Sequence, residues 1–421
     1  MKPGARIAAA VEALNEVEEL WLQETRAPVD AFLNQYFRRR RFIGSKDRGA
    51  VSRMIYSVLR NEALLNWHLK QNEVLLSART KILAAAVLLD ELGLEELKAA
   101  FCGQQYCPST LSESEIRFIK NMAGQTVISE AMPLSVRHHF PEWMESQLVQ
   151  IFNGELAQAM DAMKQEASVD LRVNTIKTNR PEALKALTQE GLAPRPTSHS
   201  NLGIRLGKRG ALFGMKAFRD GWFEMQDEGS QLVAQLVQAK PGEKGIDFCA
   251  GAGGKTLALA AQMENRGRIL AWDISGKRLG QMKPRLGRAG VSNVQARVIK
   301  SERDNVVKRH RDSADWVLLD VPCSGTGTWR RNPDLRRRTT QADLSELKQR
   351  QKAILESAAR LVKAGGRLVY ATCSILTEEN EVQITEFTDR HPDFVLESPA
   401  LRLYPHVDGT DGFFGSVLRK K

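Results

Sequence analysis

Asp247-Phe248-Cys249-Ala250-Gly251-Ala252-Gly253-Gly254-Lys255-Thr256 reads as the end of a short apolar strand running into a turn of small residues and then a helix. Small residues let the backbone turn tightly and approach a ligand, and the following helix offers unpaired N–H groups at its N-terminus. Two phosphate-loop patterns are tested by counting. A Walker loop needs glycine at the position of Cys249, and a strict dinucleotide fingerprint from Gly251 needs a third glycine where Thr256 stands. Neither fits. Outward from this stretch, strand, turn and helix text repeats, with candidate strands at Gly245–Phe248, Arg268–Trp272, Val294–Val298, Trp316–Leu319 and Arg367–Ala371. Such alternation predicts an α/β domain with a doubly wound parallel sheet, whose ligands sit beyond the carboxyl ends of the strands.

Those strand ends carry the chemistry-bearing residues. Asp273 closes the second strand, 19 residues after Gly254, where a carboxylate can accept hydrogen bonds from both hydroxyls of a ribose or simply cap a turn. The fourth strand ends in Leu319-Asp320-Val321-Pro322-Cys323-Ser324-Gly325-Thr326-Gly327, and the fifth in Tyr370-Ala371-Thr372-Cys373-Ser374. A single cysteine is usually a small buried hydrophobe, but two at the ligand end of one sheet are a candidate pair of reactive thiols. Cys102 and Cys107 lack companion ligands at zinc spacing, so no metal site is expected. A thiol redox enzyme would carry Cys-x-x-Cys, which is absent.

The rest of the chain divides by pattern. Apolar stripes at Ala5–Trp21, Ala50–Leu69 and Ile82–Leu89 predict an all-helical module over residues 1–135. Between the first two lies Arg38-Arg39-Arg40-Arg41, with Tyr36, Phe37 and Phe42 beside it, a mixture that suits RNA or a solvated helix end. Residues 136–235, from a boundary near Phe140, read as helical text and then a small α+β module, with a strand at Asp170–Asn174 and a helix from Arg180. Residues 236–421 hold the parallel sheet. The chain has 61 Lys and Arg against 50 Asp and Glu, a net charge of +11 that suits a polyanionic partner. Five scattered cysteines imply reduced thiols and a cytoplasmic setting, and no apolar run is long enough to span a membrane.

Beyond these motifs, Phe223-Glu224-Met225-Gln226-Asp227-Glu228-Gly229-Ser230-Gln231, Cys249 to Thr256, Asp320 to Gly327 with Arg330-Arg331-Asn332-Pro333-Asp334, Ala371 to Ile375 and Gly409-Thr410-Asp411-Gly412-Phe413-Phe414 resemble the Nol/Nop/Sun (RsmB-like) family of RNA cytosine-C5 methyltransferases. Phe42-Ile43-Gly44-Ser45-Lys46-Asp47-Arg48 resembles that family's NusB-like helical domain. The resemblance implies a Rossmann-like methyltransferase domain, preceded by the NusB-like domain and the α+β module, and S-adenosyl-L-methionine as cofactor. It makes Cys373 the nucleophile on carbon 6 of cytosine, Cys323 the residue that helps release the product, and Asp320 the acid facing the base. It assigns cofactor binding to Cys249, Ala250, Gly251, Ala252, Gly253, Gly254, Lys255, Asp273 and Asp320. Ser301 or Glu302 stands where the family has an Asp near the adenine, and Gly251-Ala252-Gly253 replaces the usual Ala-Pro-Gly. The five arginines from Arg330 to Arg338 are candidates for gripping RNA backbone near the site. The expected substrate is 16S ribosomal RNA, with transfer RNA or a non-catalytic ribosome assembly role as alternatives, and the expected state is a monomer without metal or membrane contact.

Overall fold

The structure is a computed structural model that describes residues 1–23, 27–207, 210 and 212–421. Its contacts group the chain into two compact units, one of residues 1–165 with 329–339 and the other of residues 166–328 with 340–421. Residues 136–165 thus group with the N-terminal helices, and residues 166–235 with the large sheet.

The first unit is helical because its apolar residues fall on single stripes. In the helix Pro3–Leu22, Ile7, Ala10, Leu14 and Val17 are buried, and Pro3 sits at the start, where its missing N–H costs nothing. Ala78–Leu88 is apolar on most faces and correspondingly buried, with Ser77 and Thr80 closing its N-terminus reciprocally. The mixture of arginines and aromatics at residues 36–42 is organised differently from the sequence-based expectation. Tyr36 and Phe37 are core residues of the helix Val29–Arg39, and the Tyr36 hydroxyl donates to the Ala9 carbonyl at 3.1 Å. Arg39 pairs with Glu16, and Arg40 pairs with Glu12 and Glu16 while stacking on Tyr36. Arg38, Arg41 and Phe42 stay exposed. Of the three aromatics only Phe42 is placed to stack on a base.

The arginines beyond Cys323 also depart from expectation. Arg336 is buried against Trp329 and donates to the Met163 carbonyl at 3.1 Å. Arg337 pairs with Glu62 at 2.8 Å and lies over Trp21, and Arg338 pairs with Asp334 at 2.7 Å. These three guanidiniums are engaged within the first unit, so they do not form the backbone grip expected of them.

The second unit carries two sheets. The smaller is antiparallel, in the order β2 (Pro194–Pro196), β3 (Gly203–Leu206), β1 (Val169–Val173), β4 (Phe223–Met225). The larger is an eight-stranded Rossmann-like sheet. Its parallel part runs β9 (Val362–Thr372), β8 (Ala314–Asp320), β5 (Lys244–Asp247), β6 (Arg268–Asp273), β7 (Val294–Val298). The five candidate strands all lie here. Beside β9, β12 (Phe413–Lys420) enters antiparallel and pairs in turn with β10 (Phe394–Leu396) and β11 (Leu401–Leu403). Chain order reverses at β5, which has β6 on one side and β8 on the other. Loops leaving the carboxyl ends of these strands therefore diverge and leave a crevice.

Candidate active site

The glycine loop leaves β5 and enters the helix Gly254–Gln262 through Gly253, whose φ of +83° is a left-handed conformation. A side chain there would be strained and would meet Met282 at 2.6 Å, so the loop needs glycine at this point. Asp273, at the end of β6, accepts hydrogen bonds from the backbone N–H groups of Gly251 at 2.8 Å and Ser275 at 2.7 Å. A carboxylate has about four lone-pair sites, so accepting capacity remains beyond these two bonds. Exposed apolar side chains flank it: Ile274 follows Asp273 directly, and Val298 is its register partner on β7. Ser301 lies in the loop after β7, its hydroxyl oxygen accepting from the Arg303 N–H at 3.2 Å.

Beneath the loop lies a cluster of negative groups. Asp247 is buried, accepts a hydrogen bond from the Thr256 hydroxyl at 2.6 Å, and leaves its other carboxylate oxygen unpartnered. Burial pushes its pKa up to about 7, with the nearby charges of Asp320 and Asp273 acting in the same direction. Burial and the charges of Asp247, Asp320 and Asp273 also push the Cys249 thiol well above its ordinary range. The cation of the cluster is Lys255, 2.7 Å from Asp320 and facing the Phe413 ring at 5.6 Å. Burial opposes its charge, but Asp320 and then Cys373 hold its pKa above the usual lysine value.

The two thiols meet. Parallel pairing of β8 with β9 sets Asp320 against Ala371, and the loops beyond bring Cys323 Sγ to 3.4 Å from Cys373 Sγ. The hydrogen bond with Cys373 and burial raise the Cys323 pKa well above the ordinary thiol value, with the charge of Glu379 adding to the effect. Cys323 is accordingly a neutral thiol near pH 7. The loops also bond each other: the Gly327 N–H donates to the Cys373 carbonyl at 3.0 Å, and the Gly412 N–H to the Gly327 carbonyl at 2.8 Å. A side chain on Gly327 would strike the Gly412 carbonyl oxygen at 2.2 Å, so this approach requires glycine.

Of the residues singled out in the sequence, Lys255 pairs with Asp320 and Cys323 meets Cys373, while Gly251 and Asp273 form the adjoining cradle. Asp247, Glu379 and Asn380 were not singled out. Asp247 and Glu379 are ordinary acids in the sequence, and only burial distinguishes them.

A family model described as 16S rRNA methyltransferase RsmB/F matches residues 234–419, and one described as an RsmF/B-like ferredoxin-like domain matches residues 140–212. The chain is 36% identical over 318 residues to a probable ribosomal RNA small subunit methyltransferase B of Synechocystis sp., covering 72% of this chain and 70% of that one. It is 30% identical over 405 residues to the ribosomal RNA small subunit methyltransferase B of Pectobacterium carotovorum, covering 90% and 92%. Among solved structures, PH0851 superposes with a TM-score of 0.81 at 26% identity over 100% of this chain and 99% of that one. A methyltransferase homolog protein from Pyrococcus horikoshii superposes with 0.62 at 28% identity over 68% and 97%. The match over residues 234–419 takes in the glycine loop and both thiol loops, and with the length and identity of the relatives' matches it means that the chain belongs to the RsmB/F family of 16S rRNA methyltransferases, enzymes that methylate RNA.

Proposed function

We propose that the chain transfers a methyl group from S-adenosyl-L-methionine to carbon 5 of a cytosine in 16S ribosomal RNA, through a covalent bond between Cys373 and carbon 6. The observation that carries this is the pair of thiols 3.4 Å apart, beside a lysine–aspartate ion pair, at the switch point of a Rossmann-like sheet.

The residues present fit the cofactor. A sulfonium is cationic, and the acidic side chains of Asp273 and Asp320, with the unpartnered oxygen of Asp247, make the loop region electronegative. Cys249 to Lys255 would hold it through backbone and small side chains, Asp273 would take the ribose hydroxyls, and Ser301, Ile274 and Val298 would border the base. Bound there, S-adenosylmethionine supplies an electrophilic methyl group.

Carbon 5 of cytosine is a weak nucleophile, and sulfur addition makes it a strong one. The Cys373 thiolate forms an S–C6 bond, and the displaced π electrons pass into the ring. Lys255, close to Cys373, offsets that charge, while Asp320 accepts from the exocyclic amino group. After methylation the C5 proton leaves to a base, the S–C6 bond breaks, and its electron pair returns to Cys373. Cys323 assists this release as a neutral thiol. The target carbon is inaccessible in a stacked duplex, so the substrate cytosine is unpaired or flipped out. All five cysteines are free, as thiol chemistry in a reducing cytoplasm requires.

The test is methyl transfer from labelled donor to unmodified small-subunit RNA, with the cytosine located by bisulfite sequencing. Cys373→Ala is expected to abolish transfer and leave no adduct, and Cys323→Ala to accumulate an RNA–protein adduct stable to denaturation. Normal turnover by Cys373→Ala, or label on a base other than cytosine, would overturn the proposal.

A further inference from the structure

Two consecutive residues outside the loops that carry the thiols make contacts to both of them. The Glu379 side chain is fully buried, and no Lys, Arg or His among the described residues pairs with it. Its carboxylate is instead held by neutral donors: the Ser324 N–H at 2.8 Å, the Ser324 hydroxyl at 2.5 Å and the Gln351 side-chain amide at 2.8 Å. The same Gln351 amide donates to the Pro322 carbonyl at 3.0 Å, so the residues on either side of Cys323 are tied to one carboxylate and its partner. Asn380 treats the other loop in the same way. Its side-chain oxygen accepts from the Thr372 hydroxyl at 2.6 Å, and its amide donates to the Ser374 carbonyl at 2.9 Å, again the two neighbours of a cysteine, here Cys373.

We infer that Glu379 and Asn380 are positioning residues that fix the spacing of the two thiols, Glu379 through the loop of Cys323 and Asn380 through the loop of Cys373. The inference rests on the roles proposed above for the two cysteines. A buried carboxyl group is costly unless its oxygens are hydrogen-bonded, and these three bonds satisfy both of them, so the Cys323 loop is held stiffly. Reacting groups must be held to a fraction of an ångström, and a displacement of about 1 Å can cost roughly a hundredfold in rate.

Division of labour gives opposite signatures. Glu379→Ala loosens only the release side, so in single-turnover reactions the denaturation-stable RNA adduct is expected to accumulate about tenfold or more over the wild type. Asn380→Ala loosens the attack side, and adduct formation is expected to slow by about tenfold or more. Glu379→Gln keeps an oxygen for the Ser324 N–H and Gln351 and is expected to restore release to within a few-fold. S-adenosylhomocysteine binding by calorimetry shows that each variant is folded. Should an alanine variant fail that check, Gln351→Leu, which removes the bonds to the Pro322 carbonyl and Glu379, and the near-isosteric Thr372→Val replace it with the same expected directions. Adduct yields that move the same way in the Glu379 and Asn380 variants, or that do not move, overturn the inference provided Cys373→Ala and Cys323→Ala behave as proposed. Failure of those two cysteine controls instead overturns the assignment of nucleophile and release residue.

Discussion

Asp247 is a buried acid whose proton is shared out by its surroundings. Its pKa is pushed up to about 7 from 3.8, mainly by burial, and in the unfolded chain it returns to the ordinary carboxylate range. A folded-state pKa above the unfolded one means that folding takes up a proton. The contribution to stability is full below about pH 4 and is lost as pH rises through about 7, an effect on the order of a few kcal/mol. Asp247→Asn keeps an acceptor for the Thr256 hydroxyl but cannot ionise, so the variant is expected to gain thermal stability relative to the wild type between pH 5 and pH 8. Parallel melting curves across that range would refute the ionisation. At this scale the sequence was informative where chemistry and position coincided. Cys323, Cys373 and Asp320 were legible because each follows an apolar strand at the ligand end of the sheet. Asp247 and Glu379 were not, since an acid's burial depends on what the rest of the chain lays over it.

Among elements, the five parallel strands were readable from strand and helix alternation, and the helices from their stripes. The C-terminal hairpin strands were not. Phe413-Phe414-Gly415-Ser416-Val417-Leu418 shows no clear alternation because β12 lies inside the sheet with most of its residues buried, and its antiparallel insertion depends on the more distant β9 as well as on the nearby β10 and β11. Glu224 on β4 is another long-range element contact. It pairs with Arg285 at 3.0 Å and with Arg288, both on the helix Gly276–Ala289, and Arg285 in turn donates to the Ala252 carbonyl at 2.6 Å. Arg172 on β1 is buried beside them and donates to the Gly254 carbonyl at 2.7 Å, its pKa lowered to about 10 by burial despite the opposing charge of Glu224. One carboxylate therefore gathers guanidiniums that brace the glycine loop from two sides. Glu224→Ala is expected to lower stability by roughly 3 kcal/mol, as for breaking a buried pair, and to weaken S-adenosylmethionine binding. Unchanged unfolding midpoints in chemical denaturation would show that the network does not brace the loop.

For the molecule as a whole, the net charge of +11 is not spread evenly over free side chains. Arg39, Arg40, Arg337 and Arg338, which looked in the sequence like a basic surface, are paired with acids. Exposed cations instead accumulate in the catalytic unit on the β6–β7 side, at Lys277, Lys283, Arg297 and Lys300. Phosphates bound by such side chains release counter-ions, so RNA affinity is expected to fall linearly with salt on a logarithmic plot, with a slope of about 0.7 per phosphate for single strands. Lys283→Glu and Arg297→Glu are each expected to weaken RNA binding at low salt and to reduce that slope by about 0.7. Cofactor binding serves as the internal contrast, because the site proposed for the sulfonium is lined by acidic side chains and takes no phosphate. Filter binding of small-subunit RNA at several salt concentrations measures the slopes. Slopes equal to the wild type in both variants would move the RNA path off this face of the sheet and leave Arg38, Arg41 and exposed Phe42 of the helical unit as the next surface to test.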